Sequence, residues 1–506
     1  MQKSLLKLGL LSITLGLFSF NSVAKDQSTV IIASPSTIQS LNPRTTSLNL
    51  DMGIARSFYE GLFTFDQHMK VIPQLAESYT ISPDAKVYTI KLKSGIRFSD
   101  GTPFNADAVI FNFTDQITKK QNGSSLLGGV ETFKALDEHT VQITLKKASN
   151  NFLNTLAHPA ELIISPTALK KENNTLDAKP VGTGRYIVKN WVRGSKLSLI
   201  PNPQFHGEAT KVQQVDVRPV PEAGSRLAML KSGQAQFILR VPPIMKPAID
   251  ADKKLKTVMV STNIVRYFEF NNENEILANA DVRRAINFAI DKTNFNKIVY
   301  RNIAKIQESP LPQTIETFKA QTPYTYDVKK AKALLAKAGY PDGFKLSIWA
   351  KNASASTRTA EFMQQQLKKI GVTAEIVSRD VASHYAAART MNSKDNHPAV
   401  LFDKSFSAST ATADWSLRPL WMTDAVYNFG KYSNKEVDKL LVEGQRELDP
   451  AQKLATYEKI QKTLWDDAAG IWNVVDVQIY AQKKNLAGVS MLPDGSLSIG
   501  NVYYKK

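Results

Sequence analysis

The sequence predicts an α/β fold, and three local patterns carry that prediction. The first is a strand–helix–strand run in which "FKLSIWA" (Phe344 to Ala350), "TRTAEFMQQQLKKIG" and "VTAEIVS" (Val372 to Ser378) follow one another. Such a β-α-β unit favours two parallel strands joined by a right-handed crossover. The second is period-two alternation in "KVYTIKL" (Lys86 to Leu92), where Tyr88, Ile90 and Leu92 share the face of a half-buried strand. The third is helical periodicity: "DVRRAINFAIDK" places Val282, Ala285, Ile286, Ala289 and Ile290 on one face behind a capping Asp281. "DVKKAKALLAKAGYPDGF" repeats the pattern from Asp327, with Gly339 as its stop and Pro341-Asp342-Gly343 as a turn.

The remaining elements fall between these. "STVIIAS" (Ser28 to Ser34) reads as a short buried strand, "AVLF" (Ala399 to Phe402) as another, and "WNVVDVQIYAQ" as a late return. In "LKSGIRFSDGTPFNADAVIFNF" (Leu92 to Phe113), Gly101 supplies a turn and Asn105 caps a helix whose first turn holds Asp107. Asp100 and Asp107 therefore have structural roles, and a catalytic carboxylate pair is not the reading. Two loops leave predicted strand ends, where open α/β sheets bind ligands: "KNASAS" (Lys351 to Ser356) and "DKSFSASTATADW" (Asp403 to Trp415). From pattern alone the second is either a ligand loop or a flexible loop whose Trp415 packs on the core.

At 506 residues, with 43% hydrophobic and 22% charged residues, the chain has room for two or three domains. It opens on a basic stretch, a 13-residue apolar run (Leu8 to Phe20) and small residues at Ser22 and Ala24. That order reads as a secretory signal peptide over residues 1–24. There is no cysteine, which excludes disulfides, thiolate metal sites and an N-terminal lipid anchor. The net charge of +18 falls to +16 without Lys3 and Lys7. The lysines are dispersed, so a solvated surface is a better reading than a nucleic-acid track. No G-x-S-x-G, H-E-x-x-H or P-loop pattern occurs, and the six histidines make no local ligand pair. The expectation is a non-enzyme without cofactor or metal.

"LAESYTISPD" (Leu75 to Asp84), the Leu92–Phe113 stretch, "PVGTGRY" (Pro180 to Tyr186), "DVRRAINFAIDK" and "YDVKKAKALLAKAGYPDGF" together resemble the family 5 extracellular solute-binding proteins of ABC importers. Arg185 departs from the proline usual after G-T-G. "ARSFYEGLF", "LAHPAELIISPTAL", "RYFEFN" and "SASTATADWSLRPL" bring it nearest to the glutathione-carrying members.

The resemblance implies a two-lobed periplasmic binding protein of type II, in the large peptide- and nickel-binding subclass, with a ligand cleft between lobes. Residues 25–270 with the tail 481–506 would form one lobe and 271–480 the other, with hinges near Arg266–Asn271 and Gln478–Lys483. It implies a periplasmic monomer that closes on glutathione and hands it to an inner-membrane permease. Dipeptides or oligopeptides, opines and a nickel chelate are the alternative cargoes. Asp414 aligns with the aspartate that holds a peptide's α-ammonium in peptide-binding members, and an enclosed charge needs such a partner. Trp415 and Phe406 would add an apolar wall, and Arg266 would meet a ligand carboxylate, since its fork matches one bidentately. An interlobe salt bridge is the structural alternative for Arg266. Tyr59 and Asn352 complete the expected ligand-binding set.

Overall fold

The computed structural model describes residues 28–171, 175–392 and 397–505. The segment read as a signal peptide, residues 1–24, lies outside the described residues. An eleven-stranded mixed sheet runs through the molecule. Ten of its strands, in chain order, are β1 (Thr29–Ser34), β2 (Tyr186–Val192), β3 (Lys196–Pro201), β4 (Gln214–Pro219), β5 (Phe237–Ile238), β6 (Leu255–Phe270), β7 (Lys345–Lys351), β8 (Thr373–Arg379), β9 (Val400–Ser407) and β10 (Gly470–Lys483). Their spatial order is β8-β7-β9-β6-β10-β5-β1-β4-β3-β2, and the short strand Lys305–Ile306 adds to β10.

The predicted β-α-β unit forms with parallel register, Lys345 opposite Thr373 through Lys351 opposite Arg379, across the helix Ser354–Lys368. Asp327 caps the helix Val328–Lys337, and Gly339 stops it at φ +93°. One expected cap moves: Asn279, not Asp281, accepts the first-turn amide of the helix Ala280–Ala289. Asp281 sits inside that turn and pairs with Arg284 at 2.9 Å and Lys337 at 2.7 Å, where its charge also suits the helix dipole. A second correction concerns the expected loop from Asp403 to Trp415. Its first half is strand, because β9 extends to Ser407 by pairing with β6 up to Ile264.

The fold has two lobes, and among the described residues only β6 and β10 carry the sheet from one to the other. They pair regularly from Leu255/Lys483 to Ser261/Val477, again at Val265/Val475 and Arg266/Val474, and, after a second register shift, from Tyr267/Trp472 to Glu269/Gly470. Between the first two stretches Thr262, Asn263 and Ile264 bulge opposite Asp476, with Thr262 Oγ1 donating to the Asp476 carbonyl at 2.9 Å. The irregularity thus lies just before the Arg266–Asn271 segment expected to bend. On the β1 side of the bulge, the core joins Ile32, Val215 and Phe237 to the C-terminal hairpin residues Leu497 and Val502.

That lobe also contains a subdomain with a core of its own. A four-stranded antiparallel sheet, from Ala76–Ile81 to Val130–Asp137, is covered by the helix Ala106–Thr118 around Tyr88, Ile90, Phe98, Phe104 and Phe113. Asn105 caps the helix by accepting the Ala108 amide at 3.0 Å, and Gly101 turns at φ +83°. Asp100 accepts from Thr102 at 2.5 Å and Ser165 at 2.6 Å, a structural role that matches its turn.

Candidate ligand cleft between the lobes

The far lobe offers chiefly one continuous stretch to the cleft, joined by Tyr427 and Gln445. After β9, Ala411 takes φ +55° while its amide donates to Ala408, which turns the chain sharply. Thr412 then caps the helix Ala413–Trp421, accepting the Trp415 amide at 3.2 Å. The inner face of this helix, Leu417, Leu420 and Trp421, packs against Tyr267 and Trp472. Burying side chains of this size stabilises by roughly 1.5–3 kcal/mol each, so the helix is firmly seated. Its opposite face turns Asp414, Trp415 and Arg418 toward the other lobe.

Two cavities lie between the lobes and share Trp415, Ser125 and Leu126 as a partition. One, of about 450 Å³, is bounded by Asp414, Arg418 and Thr412 on the far lobe and by Lys146, Lys147 and Asn151 on the subdomain. The other, of about 380 Å³, lies between Tyr427 and Ser409 on one side and Asn49, Asn122, Gly123 and His158 on the other.

In the larger cavity Arg418 grips Asp414 through two nitrogens, Nη2 to Oδ1 at 2.6 Å and Nε to Oδ2 at 3.1 Å. Tyr457 Oη adds a 3.4 Å contact to Oδ1, and Arg418 also donates to the Leu441 carbonyl. One carboxylate therefore faces three cations, Arg418, Lys146 and Lys147, and the chamber carries surplus positive charge. Lys453, on the helix Pro450–Asp466, reaches across to Asn151 Oδ1 at 3.1 Å. Burial lowers its affinity for a proton, against the pull of Glu316 and Asp414.

In the smaller cavity His158 accepts the Ala160 amide on Nδ1 at 3.2 Å. Burial and the nearby Arg56 hold its pKa down at about 4, against Asp494, so it is a neutral wall residue at pH 7. Arg56 is occupied by Asp494 at 3.3 Å and Ser496 at 2.8 Å. Among the described residues, no group of three or more His, Asp or Glu side chains is arranged to hold a metal.

The six expected ligand residues fall into two sets. Asp414 and Trp415 line the cleft, and Phe406 backs them with its ring 6.3 Å from that of Trp415. The other three line neither of these cavities. Tyr59 is wholly buried in the near-lobe core, where its hydroxyl lies against the Val181 backbone and burial pushes its pKa far up. Arg266 pairs with Asp476 at 3.0 Å beside the bulge; burial opposes its charge, but Asp476 outweighs that and holds the proton more tightly than usual. This is a strand-to-strand ion pair at the crossing, close to the salt bridge weighed as its alternative. Asn352 is exposed at the end of β7, donating its amide to the Arg379 carbonyl at 2.6 Å.

Sequence reasoning missed Arg418, although it stands four residues after Asp414 on one helix, where opposite charges meet. It also missed Asn49, Asn122, Lys146 and Lys147, which come from separate segments and carry no shared local pattern.

Comparison with known proteins gives the family. The profile of bacterial extracellular solute-binding proteins, family 5 middle region, matches residues 70–428. The chain belongs to this family. The solute-binding protein is 33% identical over 510 residues to the glutathione-binding protein GsiB of Escherichia coli O6:K15:H31, covering 98% of this chain and 99% of that one. In structure it is similar to HbpA2 from Haemophilus parasuis, with a TM-score of 0.86 and 24% identity over 94% of this chain and 100% of the other. It is also similar to the dipeptide-binding protein of Pseudoalteromonas sp. SM9913 in complex with Met-Leu, with a TM-score of 0.76 and 25% identity over 94% and 100% of the two chains. The family role implies a small-molecule or peptide ligand and an ABC permease. Among the described residues no helix is long and apolar enough to cross a membrane.

Proposed function

We propose that this protein captures glutathione in the periplasm and delivers it to its permease, acting as a monomer whose residues 1–24 are removed on export. The observation that carries the cargo is the larger cavity, where Asp414 stands among Arg418, Lys146 and Lys147. The γ-glutamyl end of glutathione carries an ammonium and a carboxylate, and this chamber offers a carboxylate and lysine cations to meet them. The likeness to GsiB supports the same reading. The bulge at Thr262–Ile264 is the hinge in this proposal, and the two cavities join around Trp415 when the lobes part. A dipeptide is the second reading, favoured by the likeness to the Met-Leu complex.

The test is thermal unfolding with glutathione, Met-Leu, an opine and nickel-histidine, followed by calorimetry on Asp414→Ala. A ligand at about one hundred times its dissociation constant adds roughly 2.7 kcal/mol to the folded state. Glutathione alone is expected to raise the unfolding temperature. Asp414→Ala is expected to weaken it on the order of a hundredfold, because the ammonium loses its partner and Arg418 is left unpaired. A rise with Met-Leu and none with glutathione would discard the cargo; unchanged affinity in Asp414→Ala would discard the site.

A further inference from the structure

The near lobe carries a crevice that the far-lobe reading does not use. Strand β1 lies between β4 and β5 and is parallel to both. The chain builds β4 on one side of it, then passes through the helix Ala223–Ser232 to place β5 on the other. Such a reversal of strand order opens a crevice outside the carboxyl ends of the strands, the position at which open α/β sheets bind ligands. A cavity of about 330 Å³ occupies that position. Its walls include Ser36 and Thr37, just after β1, and Leu239 and Arg240, just after β5. Asn49 belongs both to this cavity and to the smaller interlobe one, so the two adjoin.

Two charged residues line the crevice. The Asp51 carboxylate is already committed, accepting the Ser40 amide at 3.1 Å, the Gln39 amide at 3.2 Å and the Thr46 hydroxyl at 3.1 Å. Arg240 is not. Its side chain is exposed, and among the described residues its guanidinium makes no ion pair and no hydrogen bond. Its backbone sits at φ +49°, a left-handed conformation that is costly for a residue with a Cβ. The surroundings impose it. The Leu239 amide donates to Ala33 at 3.0 Å, the Val241 amide donates to Ile479 at 2.7 Å, and Arg226 Nη2 donates to the Arg240 carbonyl at 3.0 Å. Among the described residues, an arginine whose guanidinium has no protein partner is thus held in a left-handed pose at a cavity wall.

We propose that Arg240 binds a carboxylate at the end of the ligand remote from Asp414, making the crevice a second specificity subsite. The ligand then runs from the Asp414 chamber past Trp415 and Asn49 to the carboxyl end of β1. A guanidinium fork matches a carboxylate, whereas a neutral amide there gains much less. The proposal rests on a peptide-like ligand but not on glutathione in particular.

The test uses calorimetry on the mature protein with two pairs of ligands: glutathione and its glycine amide, and Met-Leu and its C-terminal amide. Arg240→Asn removes the charge while keeping a residue that accepts left-handed backbone, and urea unfolding checks that it folds as the parent does. Arg240→Lys keeps charge without the fork. The parent is expected to prefer acid over amide by about tenfold or more, Arg240→Asn to lose that preference, and Arg240→Lys to keep part of it. Equal binding of acid and amide by the parent overturns the proposal, as does an undiminished preference in folded Arg240→Asn. If Met-Leu binds with an Arg240-dependent preference and glutathione does not bind, the cargo falls and the subsite stands. If neither pair binds, both fall.

Discussion

The two walls of the cleft are built in opposite ways. Apart from Tyr427 and Gln445, the far wall is one stretch of chain, Ser407 to Arg418, whose shape follows from a positive-φ alanine, a threonine cap and a helix seated on tryptophans. Its charged pair, Asp414 with Arg418, lies in the cavity wall with side chains 14% and 21% exposed. The near wall is assembled from separated segments tied by a buried polar network. Arg44 donates to the carbonyls of Ala160 and Leu162 and to Asn112 Oδ1, and Asn122 donates to the carbonyls of Pro43 and Thr46. Substitutions should therefore register in ligand affinity on the far wall and in folding stability on the near wall.

The largest expected effect is on the near wall and depends on pH. Glu161 is fully buried, and burial raises its carboxyl to about 8, against the pull of Arg44 and a hydrogen bond from Gln116. In the unfolded chain it titrates near 4.5. The folded state therefore holds a proton that the unfolded state gives up. The stability this contributes is complete below about pH 4.5 and is lost as pH rises through about 8. Urea unfolding should show the parent losing on the order of 4 kcal/mol over that interval relative to Glu161→Gln, which carries no ionisable group there. The same slope in both proteins would mean that Glu161 is ionised in the fold beside Arg44.

A smaller effect comes from Gly123, where the near wall meets the cleft. It turns at φ +87°, and a Cβ there would fall 2.5 Å from Gln116 Nε2, 2.5 Å from Glu161 Oε1 and 2.6 Å from the Ala160 methyl. Gly123→Ala combines left-handed strain with overpacking and should destabilise by about 3 kcal/mol in urea unfolding. Its counterpart across the cavity, Ser409→Ala, should stay within about 0.5 kcal/mol. Equal losses would erase the distinction between the walls.

The same contrast explains what could be read in advance. Asp414, Trp415 and Phe406 were legible because they share a segment with a strand end, a cap and a resemblance to peptide-binding relatives. Lys146, Asn122 and Asn49 were not, since each approaches the cleft only through the subdomain or the returning tail, which no local period encodes. Tyr59 failed for the reverse reason. It lies in a motif that marks the fold, and an aromatic in such a motif fills the core more readily than it faces a ligand. Arg266 was placed on the right strand, but Asp476 stands on the neighbouring strand, and cross-strand register is not written in either segment alone. For β1 the reversal of strand order depends on β4 and β5, more than 170 residues later in the chain, so the crevice beside Arg240 appears only once the sheet is assembled.

The smallest effect tests whether the walls separate at all. Away from the bulge, the subdomain touches the far lobe through asparagines: Asn150 Nδ2 donates to the Gly444 carbonyl at 2.9 Å, and Asn154 Nδ2 donates to the Thr410 carbonyl at 2.9 Å. Thr410 belongs to the far wall itself, so this last bond exists only while the walls are apposed. Asn154→Ala removes one hydrogen bond worth about 1 kcal/mol, which should weaken ligand binding about fivefold by calorimetry. Because the open protein does not make the bond, the urea midpoint of the ligand-free variant should match the parent. A lowered midpoint with unchanged affinity would place the bond in the resting state of the free protein. The two walls would then be one rigid body, and ligand entry would need a route other than their parting.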